Sequence, residues 1–220
     1  MNYRVKLLVV LLCALATLFV FDTARSALDT ISRLDVIEAE RDQWQRPSDI
    51  IGALDLKPGN VVVDLGCGSG YFTLKLSLSV GEGGRVIAED IRRLPLGFLW
   101  FRTVRRREHN VTIVHGEPND PHLPERVNAV LIANTYHEFT NSQAILAYVH
   151  RALVPAGQLV VVDREPKPGD IGRTGDHEIP AARVENELRQ AGFETISRQE
   201  HFIDKDPDNE PWWLIVARRH

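Results

Sequence analysis

The chain has 220 residues, enough for one α/β domain and a short additional segment. Its apolar fraction of 44% and charged fraction of 25% are those of an ordinary globular protein. A formal net charge of −4 gives no global basis for binding nucleic acid, and none is expected as a partner. The two cysteines, Cys13 in an apolar run and Cys67 in a glycine-rich loop, offer neither a structural disulfide nor a metal-ligand spacing, so no metal is expected.

Residues 1–26 read as a signal peptide or N-terminal membrane anchor. Arg4 and Lys6 precede an uncharged run from Leu7 to Phe21 that Asp22 ends, and Ala24-Arg25-Ser26 offers a small-x-small cleavage site before Ala27. The leading positive charges predict the N-terminus inside and the domain outside, membrane-anchored or exported to the periplasmic or extracellular side. Residues 27–46 read as a helical linker, with Leu28, Ile31, Leu34 and Ile37 at a three-residue spacing that drifts around a helix. Residues 47–220 read as the main domain. Pro47 opens a short helix through Leu54, and Lys57-Pro58-Gly59-Asn60 is a turn.

From there strands and helices alternate, the pattern of a doubly wound parallel sheet. Strands are expected at Asn60–Asp64, Arg85–Glu89, Val111–His115, Ala129–Ala133 and Gln158–Asp163. Helices are expected at Tyr71–Val80, Leu96–Arg107 and Ser142–Leu153, the last stopped by Pro155-Ala156-Gly157. A helix at Ala181–Ala191 and two closing strands, Thr195–Phe202 and Trp212–Arg218, complete the chain. The fold class is therefore α/β: a Rossmann-like parallel sheet with a C-terminal antiparallel hairpin and helices on both faces.

The most informative segment is Val61-Val62-Val63-Asp64-Leu65-Gly66-Cys67-Gly68-Ser69-Gly70. A β-branched run reads as a buried strand, and three glycines at every second position read as a turn approached closely by a ligand. The helix that follows opens with unpaired N–H groups, which favour an anionic group. The segment resembles motif I of the class I S-adenosylmethionine (SAM)-dependent methyltransferases, an acid followed by G-x-G-x-G. The rival nicotinamide fingerprint would need its third glycine where Tyr71 stands. The resemblance covers about residues 47–220 and implies S-adenosyl-L-methionine as the cofactor. Asp64, Gly66, Gly68 and Gly70 would then hold its methionine part.

Other site residues follow from the same resemblance. An acid ending the second strand accepts both ribose hydroxyls in this family. Of Glu89 and Asp90, alignment from Gly84 favours Asp90. An acid after the third strand contacts the adenine amino group, and of Glu117 and Asp120 the preference is Asp120. The fourth strand ends in Asn134-Thr135-Tyr136-His137-Glu138-Phe139, which departs from the Asn-Pro-Pro-Tyr signature of enzymes that methylate planar nitrogens. Tyr136 and His137 are the candidate catalytic residues beside the acceptor, His137 having a suitable ordinary pKa for taking a proton. His177 follows the fifth strand by one loop and is placed to reach the same crevice.

The segment Arg92–Arg107 combines Leu94, Leu96, Phe98, Leu99, Trp100 and Phe101 with arginines at both ends. It reads as a sheet-covering helix with a basic last turn, or as a membrane-surface contact beside a channel for a lipophilic acceptor. The function expected is methyl transfer from SAM to a small or lipophilic molecule. The alternative is a membrane-associated scaffold that binds SAM without turnover. An outward-facing domain sits uneasily with a cofactor made in the cytosol, so a cytosol-facing anchor also remains open.

Overall fold

Nothing between Tyr3 and Trp44 is proline or glycine, and in the computed structural model that stretch is one unbroken α-helix, α1 (Tyr3–Trp44). The structure describes residues 2–124, 126–166, 177–204 and 206–220. From residue 167 to residue 176, the loop between the fifth strand and His177 lies outside the described residues. The chain divides into two compact units, Met1–Arg41 and Asp42–His220. The first is the bulk of α1, which passes without interruption through the Ser26–Ala27 bond. It is long and apolar enough to cross a membrane, by length and composition.

The second unit opens with α2 (Pro47–Gly52), whose proline stands at the first helical position, where its missing N–H costs nothing. Strands and helices then alternate: β1 (Val61–Leu65), α3 (Tyr71–Val80), β2 (Arg85–Asp90), α4 (Arg93–Arg106), β3 (Val111–His115) and β4 (Val127–Ala133). A 3-10 turn at Tyr136–Glu138 leads to α5 (Ser142–Ala152), capped by Asn141, whose side chain accepts the Ala144 N–H at 3.2 Å. The chain ends with β5 (Leu153–Arg164), α6 (Ala181–Gln190), β6 (Phe193–Ile203) and β7 (Trp212–Arg219).

These strands form one seven-stranded sheet in the order β3-β2-β1-β4-β5-β7-β6. Strands β1 to β5 pair in parallel, and β7 pairs antiparallel with β5 and β6. The fold is therefore the expected Rossmann-like α/β sheet with a closing antiparallel hairpin. Alternate residues serve the two faces. Val63, Ile132, Val161 and Trp213 pack with α5 and α6. Val62, Leu131, Val160 and Trp212 pack with α2 and α3, and Ala88 joins Leu96 and Leu99 of α4.

Most element ends shift by one or two residues from the sequence reading, and two differences have a clear physical cause. Helix α4 starts at Arg93 rather than Leu96, because Pro95 falls in the first turn, where helices tolerate proline. Pro155-Ala156-Gly157 does not lie between helix and strand: β5 already begins at Leu153. Val127 pairs with Leu153 and Ala129 with Gln158, so this segment is a bulge inside β5, with Ala156 at φ 61°.

Candidate functional site

The sheet order reverses between β1 and β4, which lie side by side and lead to different flanks. Carboxyl ends of parallel strands beside such a switch point leave a crevice. Here it is lined by Leu65 and Gly66 after β1, Glu89 to Arg92 after β2, Glu117, Pro118 and Pro121 after β3, and Thr135 and Glu138 to Thr140 after β4, with Ile145 of α5 below.

The glycine loop is fixed from three sides. Gly66 and Cys67 both donate N–H to the Glu89 carbonyl at 2.8 Å, tying the loop to β2. All three glycines have positive φ: 76° at Gly66, 55° at Gly68 and 92° at Gly70. The reasons they must be glycine differ. A Cβ on Gly66 would strike Thr135, and one on Gly70 would strike Leu99. Only Gly68 faces open space, with nothing within 4 Å of where its Cβ would be. Open space of the kind a close ligand approach needs is thus found at Gly68, while Gly66, which lines the crevice, and Gly70 make room for neighbouring side chains.

Asp64 is buried at 2% exposure, and its Oδ2 accepts the Thr73 hydroxyl at 2.6 Å. It clamps β1 to α3 and is absent from the crevice wall. Cys67 is buried, and burial followed by the charges of Asp64, Asp90 and Glu89 pushes its thiol far up, so it is no nucleophile. Arg102 is buried at 1% exposure, its Nη1 donating to the Ser69 carbonyl at 2.7 Å. It supports the glycine loop from α4.

Asp90 lines the crevice and is joined directly to that loop. Gly68 N–H donates to its Oδ2 and Arg92 N–H to its Oδ1, each at 2.8 Å, and the Arg92 guanidinium lies 3.2 Å from Oδ1. A carboxylate held by backbone donors at the mouth of a crevice suits a vicinal diol. Asp120 is placed differently. Its Oδ1 accepts the His122 N–H at 2.8 Å, which holds its carboxyl below the usual range, and it does not line the crevice. Glu117, the other acid weighed after β3, does.

At the end of β4 the two candidate catalytic residues point apart. Tyr136 is 1% exposed, its hydroxyl donates to Glu187 of α6 at 2.8 Å, and its ring packs on Phe139 in the core. Burial, then the hydrogen bond to Glu187, raises its phenol, so it neither faces the crevice nor ionises readily. Its side chain thus turns into the core, away from the acceptor side expected for it. His137 pairs with Asp163, Nδ1 to Oδ1 at 2.8 Å, and its own N–H reaches Asp163 Oδ2 at 3.2 Å. Asp163 is fully buried at the end of β5 and sets the imidazole orientation, while His137 itself has a side chain only 4% exposed and does not line the crevice. Nε2 lies 3.9 Å from Glu138, a crevice residue, and the His177 ring packs edge-on at 5.4 Å. Among the described residues no three His, Cys, Asp or Glu side chains are arranged to hold a metal.

A glycine loop hydrogen-bonded to a strand-end acid at the switch point of an α/β sheet defines a Rossmann-like nucleotide-binding domain. Comparison with known proteins narrows this. Residues 62–157 match the family model described as a methyltransferase domain. The chain is 28% identical over 181 residues to a ubiquinone/menaquinone biosynthesis C-methyltransferase of Shewanella sp. (strain ANA-3), covering 80% of this chain and 66% of that protein. It is 33% identical over 138 residues to an uncharacterized 37.1 kDa protein in transposon TN4556 of Streptomyces fradiae, covering 60% and 38% of the two. The chain thus spans about two thirds and about two fifths of these relatives' lengths. A SAM-dependent methyltransferase structure from Aquifex aeolicus superposes with a TM-score of 0.72 at 23% identity, covering 86% of this chain and 98% of that one. Residues 62–157 thus match a methyltransferase-domain model, and the fold around them is shared with that SAM-dependent methyltransferase structure.

Proposed function

We propose that this domain transfers a methyl group from SAM to a small lipophilic acceptor of the reduced-quinone type. The observation that carries the cofactor half is the Gly68–Asp90 hydrogen bond, which sets a diol-accepting carboxylate beside the open glycine of the loop. In this reading the end of the loop and the first turn of α3 take the methionine carboxylate on backbone N–H groups, Asp90 takes the ribose hydroxyls, and Glu117 rather than Asp120 meets the adenine amino group. Asp64 acts behind the loop through Thr73. The acceptor half draws on the quinone C-methyltransferase relatives and on the apolar Phe139 and Ile145 on the β4 side of the crevice.

Bound SAM supplies a methyl group on a sulfonium, an excellent leaving group. The protein therefore has to position the acceptor in line and take the proton that it loses. His137, oriented by Asp163, is the residue for that proton, received on Nε2. Incubation of the full chain with SAM and a reduced 1,4-naphthoquinone lacking its ring methyl tests the reading. Formation of S-adenosylhomocysteine together with the ring-methylated product supports it; cofactor binding without product for any quinol sinks the acceptor assignment.

The N-terminal segment, as an anchor or leader, would bring the domain to a membrane, where such an acceptor concentrates. Helix α4 suits that setting: Leu94, Trp100 and Val104 are exposed along it, with exposed Arg93 and Arg107 at its ends. A reporter fused after His220 reads out the side of the membrane, external activity placing the domain outside.

A further inference from the structure

Glu89 has a role in the crevice that no motif assigns. It precedes Asp90 on β2, so the two side chains leave the strand on opposite faces. Asp90 reaches the glycine loop. Glu89 lies on the face of Ile87, which packs in the α5 and α6 layer. Its side chain is buried at 3% exposure and still forms part of the crevice wall. Among the described residues no side chain hydrogen-bonds or ion-pairs with its carboxyl. The Gly66 N–H, which favours its ionised form, is already given to the Glu89 backbone carbonyl at 2.8 Å. Gly116, just after β3, makes room for the carboxyl: a Cβ there would overlap Oε1 and lie 2.9 Å from Cδ.

Resting on the SAM reading above, we propose that Glu89 is a ligand of the cofactor's adenine ring, donating its carboxylic O–H to a ring nitrogen. The loop and Asp90 serve the two polar ends of the methionine and ribose parts. What remains of the crevice, toward β3, is flanked by Pro118 and Pro121, a setting for a flat heteroaromatic ring. Glu89 is the buried polar group at that end. A neutral carboxylic acid offers one donor and one acceptor side by side, the pattern that an adenine edge complements.

The acid is neutral at pH 7 for reasons visible around it. Burial raises its pKa to about 8, and the neighbouring Asp90 and Asp64 charges add to the rise. The other charged groups at the crevice are Glu117 after β3, Glu138 after β4, and Arg92, which is spent on Asp90. Cys67 stays a thiol.

Titration of S-adenosylhomocysteine into the full chain between pH 6 and 9 tests this. That ligand lacks the sulfonium charge, so attraction of a cation to an ionised Glu89 does not obscure the result. The wild type should hold its affinity up to about pH 8 and then lose up to about tenfold per pH unit as one bound proton is lost. Glu89→Gln, which keeps a donor and an acceptor, should bind as the wild type does at pH 6.5 and show no such loss at pH 9. Glu89→Ala should bind on the order of tenfold more weakly at pH 6.5. A wild-type affinity that is flat to pH 9, or a Glu89→Gln protein weakened at pH 6.5, overturns the role of Glu89 and leaves the cofactor reading intact. No binding by any folded form overturns the cofactor reading itself.

Discussion

Gly66 and Thr135 touch across the switch point: a Cβ on Gly66 would lie 2.6 Å from the Thr135 hydroxyl oxygen. The loop after β1 and the end of β4 are therefore fitted to each other before any ligand arrives. Gly66→Ala should cost on the order of 2 kcal/mol or more in urea denaturation, from steric overlap and a φ of 76° together. Gly68→Ala meets no atom and should cost about 1 kcal/mol, from the left-handed backbone alone. Equal losses at the two positions would show that Thr135 yields easily.

Tyr136 is a structural residue here. Tyr136→Phe removes the hydrogen bonds of the hydroxyl, to Glu187 and Ser142, and should lower stability by about 1 kcal/mol while leaving S-adenosylhomocysteine affinity unchanged. A large loss of methyl transfer with full stability would return it to the acceptor site.

The His137–Asp163 pair has a spectroscopic signature. Long-range proton–nitrogen spectra should show a proton on His137 Nδ1, held by Asp163. Asp163→Asn should disturb that tautomer and lower turnover more than it changes acceptor KM. If the tautomer is unchanged in the variant, Asp163 does not orient the ring.

Glu89 also makes stability depend on pH. Its folded pKa, about 8, lies above the ordinary value of 4.5, so between these values the folded state holds a proton that the unfolded chain has lost. Stability should therefore fall as pH rises through this window and level off above it. Glu89→Gln should remove that contribution, matching the wild type near pH 4 and exceeding it at pH 8. Denaturation midpoints at the two pH values check the sign; a variant no more stable than wild type at pH 8 contradicts it.

Much of the sheet was legible because parallel strands buried on both faces appear as continuous apolar runs. Helix α3 and strand β3 lie where the sequence places them, at Tyr71–Val80 and Val111–His115. The bulge in β5 was not legible: Pro155-Ala156-Gly157 is the same signal whether it ends a helix or interrupts a strand, and only pairing with β4 distinguishes the two. At the site, motif spacing located the loop and Asp90. It could not say which way a strand-end side chain turns. Tyr136 and His137 are neighbours in sequence, yet one enters the core and the other meets Asp163. Glu89 was weighed only as a rival to Asp90, whereas strand alternation sends the two to opposite faces, leaving room for both to serve one crevice.

The central claim is that the Gly68–Asp90 arrangement holds SAM, and calorimetric titration of SAM and S-adenosylhomocysteine into the wild type and Asp90→Ala tests it most directly. The account predicts saturable binding by the wild type, weakened by about 1–3 kcal/mol in the variant, whose remaining partners lose a buried acceptor. Absence of binding by the folded wild type, or an affinity unchanged by Asp90→Ala, would contradict it.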